Sequence, residues 1–276
     1  MKLIDLARHY SDLFDGLTPS IWVISAVAHI QYEDVVSGEI ESNGAIEKEV
    51  RDRSARYVGG EPLQYVIGSW PFGSLELKCD RRALIPRPET EYLLEVILDR
   101  FLPKLIHSVL DLGTGTGAIG LALGASGRCE EVVLVDYSND ALELARENLE
   151  LNRELIRASV AFEQGSWYEA LSGREFERFD MIVSNPPYIA TSELDLLDPR
   201  VRMEPHLALD GGGTGMVEIE TIVAGAPQFL APDGILILEI GESQGELACS
   251  LANRAGFRSV RIERDLVGKD RYLIAS

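Results

Sequence analysis

From Val109 onward the chain alternates short apolar runs with amphipathic stretches, and this rhythm limits the possible folds more than any other feature. The runs VLDLG, VVLVDY, VAFE, FDMIVSN, GILILEIG, SVRIE and YLIA read as strands. AIGLALGAS, SNDALELARENLEL, GMVEIETIVAGAPQFL and SQGELACSLANRA read as helices between several of them. Strands separated by helices are joined most simply by crossovers, which gives an open α/β sheet with helices on both faces. Gly234 and Gly241 bracket ILILEI as turn residues should. No internal repeat or low-complexity tract interrupts the pattern.

The first eighty residues lack this rhythm. Leu3, Leu6, Ala7, Tyr10 and Leu13 recur at helical spacing, and Thr18 with Pro19 reads as an N-cap and first helical residue leading into IWVISAVAHIQ. A third helix is expected from Ala45 to Tyr57, ended by Gly59 and Gly60. Residues 64–80, with turn glycines Gly68 and Gly73 and the alternating SLELKC, read as a hairpin. Pro86 and Pro88 hold residues 85–88 extended, and Glu89 and Thr90 open a helix that runs to about Arg100. The expected organisation is a helical domain at 1–63, a β-hairpin connector at 64–85 and a main α/β domain at 86–276.

Charge narrows the function. Lys and Arg number 26 against 45 Asp and Glu, a net charge of -19, whose field repels phosphate and disfavours a broad grip on DNA or an anionic membrane. No stable nucleic-acid partner and no membrane partner is expected. Cys79, Cys129 and Cys249 form no CxxC pair, and His9, His29, His107 and His206 lack metal-ligand spacing, so no metal site is expected. The amino terminus mixes charged with apolar residues, and Ile21–Ile30 is about half the length of a membrane helix. A cytoplasmic monomer is the expected state.

The strand VLDLG runs into Gly113-Thr114-Gly115-Thr116-Gly117, followed by Ala118-Ile119-Gly120. Glycines here permit positive φ and close approach of a ligand to the backbone, and the following helix presents free amides. Asp136 ends the next strand, 23 residues beyond Gly113, where a carboxylate accepts both ribose hydroxyls of an adenosine-bearing ligand. Gly115, Gly117 and Gly120 also match the dinucleotide fingerprint, so the pattern fits NAD or S-adenosylmethionine. Asp111 is too deep in an apolar run for casual exposure and reads as an organiser of the loop. Asp140 and Asn148 read as capping or surface residues.

The fourth strand of the alternation ends in Asn185-Pro186-Pro187-Tyr188. Two prolines remove two donors and stiffen the backbone, while their carbonyls and the Asn185 amide oxygen remain as acceptors. This mouth suits a planar NH2 group, with Tyr188 as an aromatic wall. Gly211-Gly212-Gly213-Thr214-Gly215 is expected to flex before a helix, and His206 to serve a loop or helix start. Arg87 and Glu89 are candidates to brace the site or to meet an acceptor protein.

NPPY together with DLGTGTGAIG resembles the class I S-adenosylmethionine methyltransferases that act on amino nitrogens. The fuller set resembles one branch, the protein-(glutamine-N5) methyltransferases of peptide-chain release factors. It comprises GEPLQYVIG at 60–68, LIPRPETEYLLE at 84–95, GSW at 165–167, VSNPPYI at 183–189, RVRMEPHLALDGGGTGM at 200–216 and LEIGESQG at 238–245. The resemblance implies an open twisted sheet, mostly parallel with an antiparallel last strand, beside a small helical domain. It implies methyl transfer from S-adenosylmethionine to the N5 of the glutamine in a release factor's Gly-Gly-Gln motif. Gly113 to Gly117 would contact the methionine and ribose side of the cofactor, Asp136 the ribose hydroxyls and Trp167 the adenine. Asn185 would meet cofactor and substrate, with Pro186, Pro187 and Tyr188 completing the substrate site. Catalysis would rest on Asn185, Pro186 and Tyr188.

Overall fold

The computed structural model describes residues 1–101, 105–173 and 178–276. Two compact units emerge: Met1–Trp70 with Cys79–Arg81 and Asp198–Met203, and Pro71–Lys78 with Arg82–Leu197 and Glu204–Ser276.

The first unit is built from α1 (Leu3–Tyr10), α2 (Leu17–Ala28), α3 (Tyr32–Ser37), α4 (Gly44–Val58) and α5 (Leu63–Ile67). Leu3, Leu6 and Ala7 of α1 meet Ile21 and Ile24 of α2, Val35 and Val50 in one apolar cluster. Phe14, Val23, Tyr57, Val66 and Ile67 form a second. Helix α2 begins at Leu17, so Thr18 and Pro19 lie in its first turn instead of marking its start; Gly16 at φ 144° supplies the entry. Pro19 is tolerated there because first-turn amides have no helical acceptor. Asn43 caps α4, its side chain accepting from the amides of Ala45 and Ile46. The six-residue α3 has no strong apolar period, yet Gln31 and Asp34 close a capping box around its start.

Residues 63–67 are helical, not the opening of a hairpin. The carbonyls at their C-terminal end are met by side chains of α4: Arg53 Nη1 donates to Val66 and Ile67 at 3.1 and 2.8 Å. Arg56 Nη2 donates to Tyr65 at 2.8 Å. The hairpin is shorter than expected and pairs β1 (Ser69–Phe72) with β2 (Leu75–Lys78).

The second unit opens with α6 (Pro88–Val96), which continues as a π-helical turn over Ile97–Phe101. There follow β3 (Ile106–Leu112), α7 (Ala118–Ala125), β4 (Cys129–Asp136), α8 (Asn139–Leu151), β5 (Ser159–Gln164) and β6 (Phe179–Ser184). Then come α9 (Val217–Phe229), β7 (Leu230–Glu239), α10 (Gly245–Ala255), β8 (Val260–Arg264) and β9 (Asp270–Ala275). The sheet order is β5-β4-β3-β6-β7-β9-β8. Strands β3 to β7 pair in parallel, and β9, last in the chain, runs antiparallel to β7 and β8. The expected fold class is therefore present.

Alternate residues of each strand serve opposite faces. Val109, Val132, Leu134, Val183 and Ile237 enter one apolar cluster with Leu93 and Ile119. Leu110, Val133, Val135, Ile182 and Leu236 enter the other with Ile219, Ile222 and Leu251. Burial on both faces explains why these strands read as continuous apolar runs. Strand order reverses at β3, whose neighbours are β4 and β6, and the carboxyl ends of strands at such a reversal open a crevice. Among the described residues no helix is long and apolar enough to cross a membrane.

Candidate active site

The turn after β3 lies at that crevice. Gly113, Gly115 and Gly117 adopt φ of 68°, 56° and 84°, a region that strains any residue with a Cβ. Two acids fix the loop, Asp111 buried and Asp136 half-buried. Asp111 Oδ2 accepts from the Thr114 hydroxyl at 2.7 Å and the Gly120 amide at 3.0 Å. Burial raises the Asp111 carboxyl to about 6, against the lowering effect of those two donors. Asp136 Oδ2 accepts from the Gly115 amide at 2.8 Å and Oδ1 from the Ser138 amide at 2.9 Å. Burial raises this carboxyl too, opposed by the backbone amides. A carboxylate has about four acceptor positions, so Asp136 can brace the loop and still receive ribose hydroxyls.

The turn after β6 faces the same crevice. Asn185 Nδ2 donates to the Thr90 hydroxyl at 3.0 Å, and Thr90 donates to Glu239 Oε2 at 2.7 Å. Tyr188 O–H donates to Glu239 Oε1 at 3.4 Å. Gln244 Nε2 holds the Tyr188 carbonyl at 2.9 Å and the Gly215 carbonyl at 3.0 Å. The glycine run 211–215 packs on this turn; the expected flexibility gives way to a steric requirement. A Cβ on Gly215 would lie 2.4 Å from the Tyr188 oxygen, and the Gly211 amide donates to the Ile189 carbonyl at 2.8 Å.

A cavity of about 370 Å³ joins the two turns, within the roughly 300–1,000 Å³ typical of small-molecule sites. Of the expected site residues, Asp111, Gly113, Thr114, Gly115, Thr116, Asp136, Trp167, Asn185 and Pro187 line it. Gly117 is the N-cap of α7, Pro186 is buried, and the Tyr188 ring joins the apolar cluster that carries α9. Trp167 has φ 46° and donates from its indole nitrogen to Glu218 at 2.6 Å. Its ring crosses the glycine turn so closely that a Cβ on Gly113 would sit 3.1 Å away.

Arg87 braces the wall: its guanidinium pairs at 2.5 Å with Glu204, whose other oxygen accepts the Ile85 amide at 2.9 Å. The Glu204 side chain is 1% exposed. The Glu89 side chain is exposed, while its carbonyl accepts from the Tyr272 hydroxyl. His206 starts a short 3-10 turn and is 73% exposed.

Sequence reasoning missed three supports. Asn148 is fully buried, not a surface residue. It accepts from the Lys78 amide at 2.7 Å and donates to the Thr116 carbonyl at 2.9 Å, tying β2 to the glycine turn. The signal was its place on the same helical stripe as Ala141, Leu144 and Ala145. Glu239 is an acid within the apolar run ILILEI, the same signal that singled out Asp111. Glu204 carried no comparable sign.

The residues at the cavity fit an adenosine-bearing methyl donor: positive-φ glycines for close backbone approach, a carboxylate with spare acceptor positions, and an indole against the glycine turn. Comparisons with known proteins point the same way. A family model described as the methyltransferase small domain matches residues 89–203. The release factor glutamine methyltransferase of Aliivibrio fischeri is 42% identical over 219 residues, covering 79% of this chain and 75% of that one. The protein of the same name from Salmonella typhimurium is 42% identical over 234 residues, covering 85% and 82%. Among solved structures, a methyltransferase from Pyrococcus furiosus aligns with a TM-score of 0.55 at 22% identity, over 81% of this chain and 96% of that chain. A T. thermophilus 16S rRNA methyltransferase in complex with AdoMet and guanosine gives 0.54 at 22% identity, over 75% and 49%. At that identity the likeness is one of fold.

Proposed function

The chain belongs to the release factor glutamine methyltransferase family, and from that premise we propose how its own residues carry out the reaction. The chain is an S-adenosylmethionine-dependent enzyme that methylates the side-chain amide nitrogen of a release-factor glutamine. The bound cofactor supplies an electrophilic sulfonium methyl group. Residues 113–117, Asp111, Asp136 and Trp167 are proposed to hold it, with Asp136 taking the ribose hydroxyls.

An amide nitrogen is a poor nucleophile because its lone pair is shared with the carbonyl. Positioning and electrostatic stabilisation are therefore what the protein has to supply. In this reading the Asn185 oxygen and the Pro186 carbonyl each accept one N–H of the substrate amide. As positive charge grows on the nitrogen, both acceptors bind its protons more strongly, and one of those protons is then released to solvent, leaving the neutral N-methyl amide. Pro187 and Tyr188 complete the pocket and exclude water. The observation that carries this reading is that Asn185 and the glycine turn line one cavity.

A second part of the proposal concerns partners: the enzyme acts as a cytoplasmic monomer on the release factor, with no stable nucleic-acid partner. The net charge of -19 supports the last point. The test is incubation of labelled S-adenosylmethionine and enzyme with a release factor, with a release factor lacking the Gly-Gly-Gln glutamine, and with unmodified DNA. Label in the intact release factor alone is expected; label in DNA, or in the glutamine-less factor, contradicts the reading. Sedimentation at assay concentration checks the monomer.

A further inference from the structure

Asn185 presents a useful acceptor only if its amide is turned the right way, since its two ends differ in nothing but donor and acceptor character. Its orientation is fixed from behind. An ionised carboxylate only accepts, so Glu239 obliges the Thr90 hydroxyl to donate to it. The Thr90 oxygen is then left with lone pairs alone, and the Asn185 NH2 must face it. Among the described residues no donor meets the Asn185 oxygen, the remaining polar end of a side chain that lines the cavity. From this juxtaposition we infer that Glu239 is a positioning residue: through the Thr90 hydroxyl its negative charge aims the Asn185 oxygen at the substrate amide. The inference rests on the proposed role of Asn185 as the acceptor of that amide.

The relay is buried: Thr90 is 4% exposed and Glu239 1%, and Thr90 reaches the cavity wall. Burial raises the Glu239 carboxyl to about 7, against the lowering influence of the Thr90 hydroxyl and of Arg271. Glu89 of α6 repels its charge, Tyr188 donates to it, and Tyr272 of β9 senses it. Below that pH, Glu239 takes a proton from solvent and becomes able to donate to Thr90. The Thr90 proton then turns toward Asn185 and draws its oxygen away from the cavity. Methyl transfer accordingly rises with pH as Glu239 ionises.

Two measurements test this. In the ligand-free protein labelled with 15N-asparagine, the Asn185 side-chain amide signal, assigned through Asn185→Ala, should titrate near pH 7, and Glu239→Gln should abolish that titration. In single-turnover kinetics, Thr90→Val should slow methyl transfer roughly 100-fold, the scale of one lost preorganised hydrogen bond, whereas Thr90→Ser should stay within about three-fold. Glu239→Gln should flatten the pH profile around neutrality. A packing role for Thr90 predicts the reverse order, because Val keeps its shape and Ser does not. An amide signal that does not titrate, or a Val variant faster than the Ser variant, overturns the relay. If Asn185→Ala itself leaves methyl transfer unchanged, the underlying clamp fails instead.

Discussion

At the scale of single residues, the site holds two acids at a cost to the fold, and each gives a distinct prediction. Asp111 is 1% exposed, and its carboxyl rises from 3.8 to about 6 in the folded protein. A folded-state pKa above the unfolded one means that the unfolded chain loses the proton first. Stability is therefore fullest below about 4 and declines as pH rises through about 6, by about 3 kcal/mol at neutral pH. Asp111→Asn keeps an oxygen for Thr114 and Gly120 and removes the charge. It should raise the ligand-free melting temperature at pH 7 and leave it unchanged at pH 4; a lower melting temperature at pH 7 would contradict the ledger for this residue. Asp136 bears on binding. Losing two charged hydrogen bonds costs about 3 kcal/mol, so Asp136→Ala should weaken S-adenosylmethionine binding by roughly 100-fold in calorimetry. Full affinity in that variant would remove the ribose assignment.

At the scale of elements, two supports of the site, Asn148 and Thr90, come from helices whose sequence announces only a helix. Helix α8 holds the second strand of the hairpin and the glycine turn with one side chain, Asn148. Asn148→Ala would leave the Lys78 amide and the Thr116 carbonyl without that partner, and should lower unfolding free energy by about 2–4 kcal/mol in urea titration. A change below about 0.5 kcal/mol would show that water replaces it. Strands β3 to β7 were legible because burial on both faces forces unbroken apolar runs. Both turns were legible because positive φ selects glycine, and paired prolines remove donors. The short helix α5 was not: its carbonyls are met by Arg53 and Arg56, and no local propensity records a partner on another helix. The same reason hid Thr90, whose helix-opening place was readable but whose hydrogen bonds to Asn185 and Glu239 span 95 and 149 residues.

For the molecule as a whole, the division into units interleaves distant parts of the sequence. The segment Asp198–Met203 belongs with the amino-terminal helices, where Arg200 lies 4.1 Å over the Tyr57 ring and 3.3 Å from Asp15. A contact across 185 residues leaves no mark on composition or periodicity, so a linear boundary was all that reading along the chain offered. What the proposed chemistry requires was nevertheless legible: a strand-end turn rich in acceptors, and a glycine turn on the adjacent strand of the same sheet. The account depends on those two turns acting together on one methyl group. Single-turnover methyl transfer by Asn185→Ala, measured alongside its affinity for S-adenosylmethionine, tests that most directly. The predicted result is a transfer step slowed roughly 100- to 1,000-fold with cofactor affinity within about three-fold of the parent. An unchanged transfer step, or a loss wholly accounted for by weaker cofactor binding, would contradict it.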